Sequence, residues 1–246
     1  MPQPPDGRLN PYAPPTASLE HDGPALRATD SFRSLKSLAL PITVLLVLYV
    51  VVQVVHLAHL GAAIQAMWSV LDGGASLAVA GSAIDRRAAI IKNLAALVHL
   101  PLAVLFCLFV ARANRNVRAL HVLEPQFTPG WAVGVFFIPV WNFYKPYQVM
   151  RELWQGSNPD SDPVVIASSL RGTPLLIWWW ALYVASFVQV QGFYQGPGPA
   201  AFIGRAEMAM VGHLVDLAAA LLAIAVVRGL TARQDACQRV AAARLT

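Results

Sequence analysis

The stretch Gly130–Trp154, GWAVGVFFIPVWNFYKPYQVMRELW, decides how the rest of the chain is organised, and we call it the central segment. Its apolar run, Trp131–Trp141, has about half of the roughly 20 residues that a bilayer-spanning helix needs. Pro139 has no backbone N–H and disfavours a helical conformation at Ile138, which predicts a bend. The run is too apolar for a loop in water. We therefore expect a re-entrant or interfacial segment, which dips into the membrane or lies along its surface.

The second half of the central segment predicts an interfacial helix that reaches residue 155. Pro146 suits the first turn of a helix, where a missing N–H costs nothing. Four apolar residues then recur at helical spacing: Tyr147, Met150, Leu153 and Trp154. We expect Asn142 to lie at the bend and bond backbone groups freed by Pro139, and Lys145 to reach lipid headgroups. The alternative is one continuous kinked helix packed on the bundle.

These motifs resemble those of the membrane proteins called domain of unknown function 4328. The resemblance is carried by GWAVG, FFIP, KPYQ and RELW in the central segment. The basic run Arg112–Leu120, RANRNVRAL, looks like the run that precedes the motif in that family, and Trp178–Trp180 occupy the place of its Trp-rich third span. The likeness extends over Lys36–Leu230. It implies a membrane architecture, and because the family's activity is not known, it implies no chemistry.

The composition also indicates a membrane protein. Of 246 residues, 57% are hydrophobic and 13% are charged, whereas about a quarter are charged in a typical soluble domain. The net charge of +5 fits membrane topology and anionic lipid better than nucleic acid, so we expect no nucleic-acid partner. Two cysteines are too few for a disulfide framework. Abundant arginine and alanine hint at a GC-rich bacterial genome.

We predict an all-α integral membrane protein with four transmembrane helices. The predicted spans are residues 38–60, 88–111, 174–193 and 206–227, with the re-entrant or interfacial segment 131–155 between the second and third. Residues 1–30, which contain seven of the eighteen prolines, are expected to be a disordered cytoplasmic tail. Residues 31–230 form the membrane domain, and residues 231–246 are assigned to a second cytoplasmic tail.

Basic residues predict the orientation in the cell membrane. With both termini cytoplasmic, fourteen of the eighteen Lys and Arg residues lie inside, which obeys the positive-inside rule. Only Arg86, Arg87, Lys92 and Arg205 lie outside. Arg112, Arg115 and Arg118 form a basic stripe at helical spacing, which we assign to anionic lipid headgroups. The alternative is a docking site for a phosphorylated or acidic ligand.

The motifs favour a non-enzymatic module over an enzyme. The chain has no phosphate loop, no metalloprotease motif and no nucleophile elbow. We expect a multi-pass protein whose interfacial helix senses lipid or docks a partner, with no cofactor. The residues assigned to this role are Trp131, Pro139, Asn142, Lys145, Pro146 and Trp154. The bilayer and its anionic headgroups are the expected partners, and a homo-oligomer or a protein partner stays open. A membrane metal or haem protein and a small oligomeric transporter are the alternatives.

Ionisable residues within the predicted spans carry the metal or haem alternative, because such residues are costly in lipid. They are His56, His59, His99, His213 and Asp216. Imidazoles with a carboxylate bind transition metals, and two histidines can hold a haem. The other interpretation is a satisfied polar contact between helices. Both require His99, His213 and Asp216 to face the bundle interior, and only a metal requires three of the five to converge.

Overall fold

A computed structural model describes residues 31–120, 125–159, 174–187 and 196–243, which form helices and no strand. The α-helices are α1 (Lys36–Leu71), α2 (Leu77–Ala119), α3 (Pro129–Gly134), α4 (Lys145–Gln155), α5 (Pro174–Phe187) and α6 (Pro199–Ala243). A short 3₁₀ turn, Trp141–Phe143, precedes α4. The predicted all-α class is therefore confirmed for these residues.

Three of the described helices, α1, α2 and α6, are long and apolar enough to cross a membrane. Each is longer than its predicted span, because hydropathy marks only the apolar middle and no Gly or Pro pair stops the helix where polar residues begin. Helix α1 has 36 residues and measures about 54 Å. Gly73, at φ +77°, opens the turn to α2. Helix α6 continues through residues 231–243, which the sequence assigned to a tail.

The predicted third span is described only in part. Helix α5 has 14 residues, fewer than a span requires, and residues 188–193 lie outside the described ranges. The predicted count of four spans is therefore not confirmed, since the described part of the chain contains three helices of spanning length. The predicted N-terminal tail, residues 1–30, also lies outside the described residues.

Helix α1 lies between α2 and α6 and runs antiparallel to both. Against α6, Lys36 pairs with Asp235 at one end, and Gln53 pairs with Asp216 further along the helix. Helix α5 packs against α6 and α4. The main core contains Ile42, Phe109, Leu176 and Val227, among other buried residues. Large apolar side chains such as Leu97 of α2 remain exposed, as expected of helices that face lipid.

The central segment forms two separate helices instead of one continuous kinked helix. Thr128 caps α3 by accepting a hydrogen bond from the backbone N–H of Trp131, and Pro129 occupies its first turn. Helix α3 ends at Gly134, before Pro139, and turns connect it to α4. Pro146 lies in the first turn of α4, as the sequence predicted.

Candidate functional site

The central segment is held against α2 and α5 by aromatic contacts and one hydrogen bond. Phe136 meets Phe106 of α2 edge to face, with ring centroids 6.0 Å apart. The indole N–H of Trp180 in α5 donates to the carbonyl of Phe143 at 3.0 Å. This bond fixes the 3₁₀ turn that leads into α4. One side of the segment is therefore part of the bundle.

The other side of the central segment is apolar and exposed. Phe137 and Val140 expose 72% and 73% of their surfaces. The exposed rings of Trp131 and Trp141 lie 6.0 Å apart. Lys145 follows this surface, its ammonium 5.3 Å from the ring centroid of the neighbouring Tyr144. An apolar patch bordered by a cation is typical of a surface that contacts membrane or partner.

Asn142 lies in the 3₁₀ turn that precedes α4, three residues after Pro139. The backbone N–H of Asn142 donates to the carbonyl of Ile138 at 2.8 Å. Its side-chain Oδ1 is buried and has no hydrogen-bond partner within the described residues. A carbonyl freed by Pro139 would need the amide N–H groups of Asn142 as donors, so the expected bond at the bend stays a prediction.

Helix α4 packs closely on α6 and α2 because at each contact a glycine lies opposite a bulky side chain. A Cβ at Gly229 of α6 would lie 2.7 Å from Cη2 of Trp154. The guanidinium of Arg233 lies over the same indole, 4.5 Å from the ring centroid. At the end of α4, a Cβ at Gly156 would lie 2.6 Å from Cγ1 of Val117. Both glycines are needed for this close approach, because any larger residue would push α4 away.

The basic stripe divides into two bracing residues and one exposed residue. Arg112 donates to the hydroxyl of Ser37 in α1 at 2.7 Å. Arg118 donates to the carbonyls of Pro125 and Phe127 at 3.0 and 3.1 Å, and so holds the chain that leads into the central segment. Arg115 is exposed.

A buried set of amides and a hydroxyl, which we call the polar node, joins four helices near the basic stripe. It contains Asn116 of α2, Gln234 of α6 and Ser157 after α4, each at most 1% exposed. Asn116 donates to Oε1 of Gln234 at 2.7 Å and to the carbonyl of Arg33, ahead of α1, at 2.8 Å. Gln234 donates to Ser157 at 3.2 Å and to the carbonyl of Ala113 at 3.1 Å. The node was not predicted from the sequence, although the two asparagines within the basic run Arg112–Leu120 are a signal for it.

Glu152 faces the chain that leads into the central segment. Burial raises the pKa of its carboxyl above the ordinary value, although backbone N–H groups of Gln126 and Phe127 bond it and Arg151 and Lys145 attract it. Its Oε2 is buried and without a hydrogen-bond partner among the described residues. Ionisation of Glu152 is therefore less favourable in the folded protein than in water.

The ionisable residues of the spans meet in pairs. Oδ2 of Asp216 accepts a hydrogen bond from Gln53 of α1 at 2.9 Å, and Gln53 also lies 3.1 Å from the hydroxyl of Tyr49. His56 stacks on His213 with ring centroids 4.5 Å apart. Gln53 is only 3% exposed, and the sequence analysis missed it because it weighed ionisable groups alone.

The metal alternative is not supported by this arrangement. Within the described ranges, no group of three or more His, Cys, Asp or Glu residues is placed to hold a metal ion. The His56 and His213 rings stack face to face, whereas axial ligands point their nitrogens at a haem iron from opposite sides. His99 is exposed at the edge of the bundle, with its ring centroid 5.8 Å from that of Tyr49, and it interacts electrostatically with Asp216.

The comparisons with known proteins address the family and not the activity. Neither the curated proteins nor the solved structures gave a match to the chain. The family model described as Domain of unknown function (DUF4328) matches residues 73–232. That range includes the basic stripe, the whole central segment and Trp178–Trp180 of α5, which carried the resemblance in the sequence, and also most of α6. The chain therefore belongs to the DUF4328 family.

Proposed function

We propose that the chain is a non-enzymatic multi-pass membrane module whose central segment inserts into one leaflet and responds to the lipids there. One observation carries this proposal: the central segment is apolar on two sides. One side packs on the bundle through Phe136, and the other exposes Phe137 and Val140. Exposure of such residues to water would be costly, whereas contact with lipid tails would be favourable.

The depth of the contacts supports insertion over a position along the surface. Phe106 lies six residues before Arg112, which corresponds to about 9 Å along α2. Trp180 lies six residues after the start of α5, again about 9 Å. With Arg112 at the headgroups, a segment that touches both residues enters the hydrocarbon of one leaflet. The segment stops short of the bilayer midplane, which lies about 15 Å below the edge of the hydrocarbon.

Contacts between the ends of α1, α2 and α6 support four crossings of the membrane with both termini on one side. The ion pair between Lys36 and Asp235, at 3.1 Å, brings the start of α1 and the late part of α6 to the same end of the bundle. Helix α2 ends at this end as well, because Asn116 bonds Arg33. Since α6 must begin at the opposite end, the chain between α2 and α6 crosses once more, along the course of α5. The cytoplasmic side is then the end with the basic stripe.

The polar node supports a response of the bundle to the lipid. Ser157 follows α4 directly and bonds Gln234 of α6, which bonds Asn116 of α2. A shift of α4 in the leaflet would therefore strain bonds at the ends of α1, α2 and α6 together. Exposed Arg115 and half-buried Lys145 add attraction to anionic headgroups.

Spin labels test the insertion. In a protein freed of Cys107 and Cys237 and placed in lipid nanodiscs, we expect labels at Phe137→Cys and Val140→Cys to be accessible to oxygen and shielded from a water-soluble nickel complex. A label at Arg115→Cys, on the same end of the bundle, should show the reverse. Nickel access at both 137 and 140 would refute insertion and indicate docking to a soluble partner instead.

Lipid composition tests the response. We expect phosphatidylglycerol nanodiscs to stabilise the protein against denaturant relative to phosphatidylcholine nanodiscs, and added salt to reduce the difference. The double variant Arg115→Gln, Lys145→Gln should lose most of this difference. The control Lys92→Gln, exposed at the other end of the bundle, should keep it. Equal stability in both lipids would refute lipid sensing.

A further inference from the structure

A row of polar side chains runs along the face of α1 that meets α6. Tyr49, Gln53, His56 and His59 are spaced three or four residues apart and so share one helix face. From Tyr49 to His59 the row covers about 15 Å. We call these four residues, together with His213 and Asp216 of α6, the polar row. It lies inside helices that are otherwise strongly apolar.

The polar row begins where the apolar part of the bundle ends. His59 interacts electrostatically with Arg87 of α2, which belongs to the charged stretch Asp85–Arg87. Gln53, the partner of Asp216, lies six residues further into the bundle, which is about 9 Å. His59 is thus at the polar boundary, and Asp216 is well within the apolar region. This boundary is at the end opposite the polar node.

Asp216 is surrounded by neutral or proton-binding groups from every helix around it. Helix α1 supplies Gln53, Tyr49 and His56, and α2 supplies His99. Helix α5 supplies the hydroxyl of Ser186, and His213 precedes Asp216 by one turn of α6. Within the described residues, no Lys or Arg forms an ion pair with this carboxylate. An unpaired carboxylate among apolar helices is costly, and a bound proton removes that cost.

The imidazoles between Asp216 and the boundary have nitrogens available for proton transfer. His56 and His213 stack at 4.5 Å, so a proton on one disfavours a proton on the other. Nδ1 of His213 and Nε2 of His59 are buried and have no hydrogen-bond partner in the described part of the chain. An imidazole can accept a proton at one ring nitrogen and release one from the other.

We propose that Asp216 is a proton-binding site within the bundle, and that His59, His56 and His213 carry protons between it and the end where α1 turns into α2. The proton comes from a hydronium ion at that end, which leaves a water molecule behind. Each imidazole accepts one proton and passes one on, and returns to the neutral state. The proton ends on the Asp216 carboxylate, which becomes a neutral acid hydrogen-bonded to Gln53. This site is independent of the lipid contact proposed above.

Infrared spectroscopy of the full chain in nanodiscs tests the site. The measurement uses a Glu152→Gln background, which removes the other carboxyl whose pKa burial raises. In it we expect the C=O band of a protonated carboxyl to appear as the pH falls, to disappear on Asp216→Asn and to remain in the control Asp85→Asn, which lies exposed near the boundary. The absence of such a band in the background, or its survival in a folded Asp216→Asn variant, would overturn the proposal.

A second variant assigns the band even where Asp216→Asn does not fold. Gln53→Leu removes the 2.9 Å donor to Oδ2 of Asp216. The carbonyl band should then move to higher frequency, because a C=O that accepts fewer hydrogen bonds is stiffer. A band at the unchanged frequency would exclude Asp216 as its source and overturn the proposal.

The path is tested by the speed of protonation after a pH jump. We expect His59→Leu to slow the rise of the carboxyl band about tenfold or more, as loss of a proton-transfer group usually does. Val55→Leu, an exposed position on the same helix, should leave the rate unchanged. Equal rates in wild type and His59→Leu would show that protons reach Asp216 by another route.

Discussion

The contact between α4 and α6 predicts an unusual response to Gly229→Ala. The new Cβ would lie 2.7 Å from Cη2 and 3.1 Å from Cζ3 of Trp154, below the 3.4–4 Å of ordinary contact. The indole is buried and lies against Arg233, so it has little room to move away. The substitution must therefore displace α4 or distort the Trp154 side chain.

The size of the effect follows from two opposing contributions. Overpacking of a well-packed contact costs about 1–3 kcal/mol. Replacing Gly by Ala inside a helix stabilises it by about 1 kcal/mol. We expect a net destabilisation of about 1 kcal/mol in the wild type. In a Trp154→Leu background the clashing ring atoms are absent, so the same substitution should stabilise by about 1 kcal/mol, a coupling of about 2 kcal/mol.

A double-mutant cycle in mixed micelles, with denaturing detergent as the perturbant, measures this coupling. The control is Gly61→Ala in α1, where a Cβ would meet nothing within 4 Å. It should stabilise the protein by about 1 kcal/mol in both backgrounds. Additive effects of Gly229→Ala and Trp154→Leu would refute the close contact, because no shared clash would then exist.

Three further predictions concern the basic end of the bundle and the topology. Asn116→Ala should lower the free energy of unfolding in detergent by about 3 kcal/mol, because it leaves the amide oxygen of Gln234 and backbone groups without hydrogen-bond partners. A decrease of less than about 0.5 kcal/mol would contradict the polar node. Since burial raises the pKa of Glu152, the wild type should lose stability as the pH rises above 4.5, the ordinary pKa of a glutamate side chain. Glu152→Gln should flatten this dependence of stability on pH, and identical pH profiles of the two proteins would contradict the burial of Glu152. In a cysteine-free protein, an impermeant thiol reagent should label Ser76→Cys in intact cells but Arg239→Cys only after permeabilisation, and the reverse pattern would invert the topology.

Local sequence signals predicted the helices well. The start of α4 was predictable because the fit of Pro146 to a first turn depends on its own backbone alone. The apolar stretches located α1, α2 and α6, but hydropathy underestimated their lengths, since helix formers continue past the apolar boundary. The end of α3 at Gly134 was not predicted, since the strongest helix-breaking residue in the apolar run is Pro139, five residues later.

Long-range contacts were the part that sequence could not supply. Asn116 and Gln234 are 118 positions apart and read as solvated polar residues until the fold buries them together. The exposure of His99 depends on the rotation of α2, which its spacing to other residues does not specify. Gln53 is an amide within an apolar span, where any polar side chain is costly. The same reasoning that selected the histidines therefore predicts a partner for Gln53 as well.

The polar node also has a consequence for how the protein is made. Gln234 is the last of its members in chain order, and it satisfies Asn116 and Ser157 together. Until α6 has left the ribosome and entered the membrane, those earlier groups lack their partner. A nascent or truncated chain thus exposes an unfilled set of hydrogen-bonding groups at the end of the bundle that carries the polar node. A membrane protease or chaperone that recognises such groups would distinguish incomplete chains from complete ones without contacting the transmembrane helices.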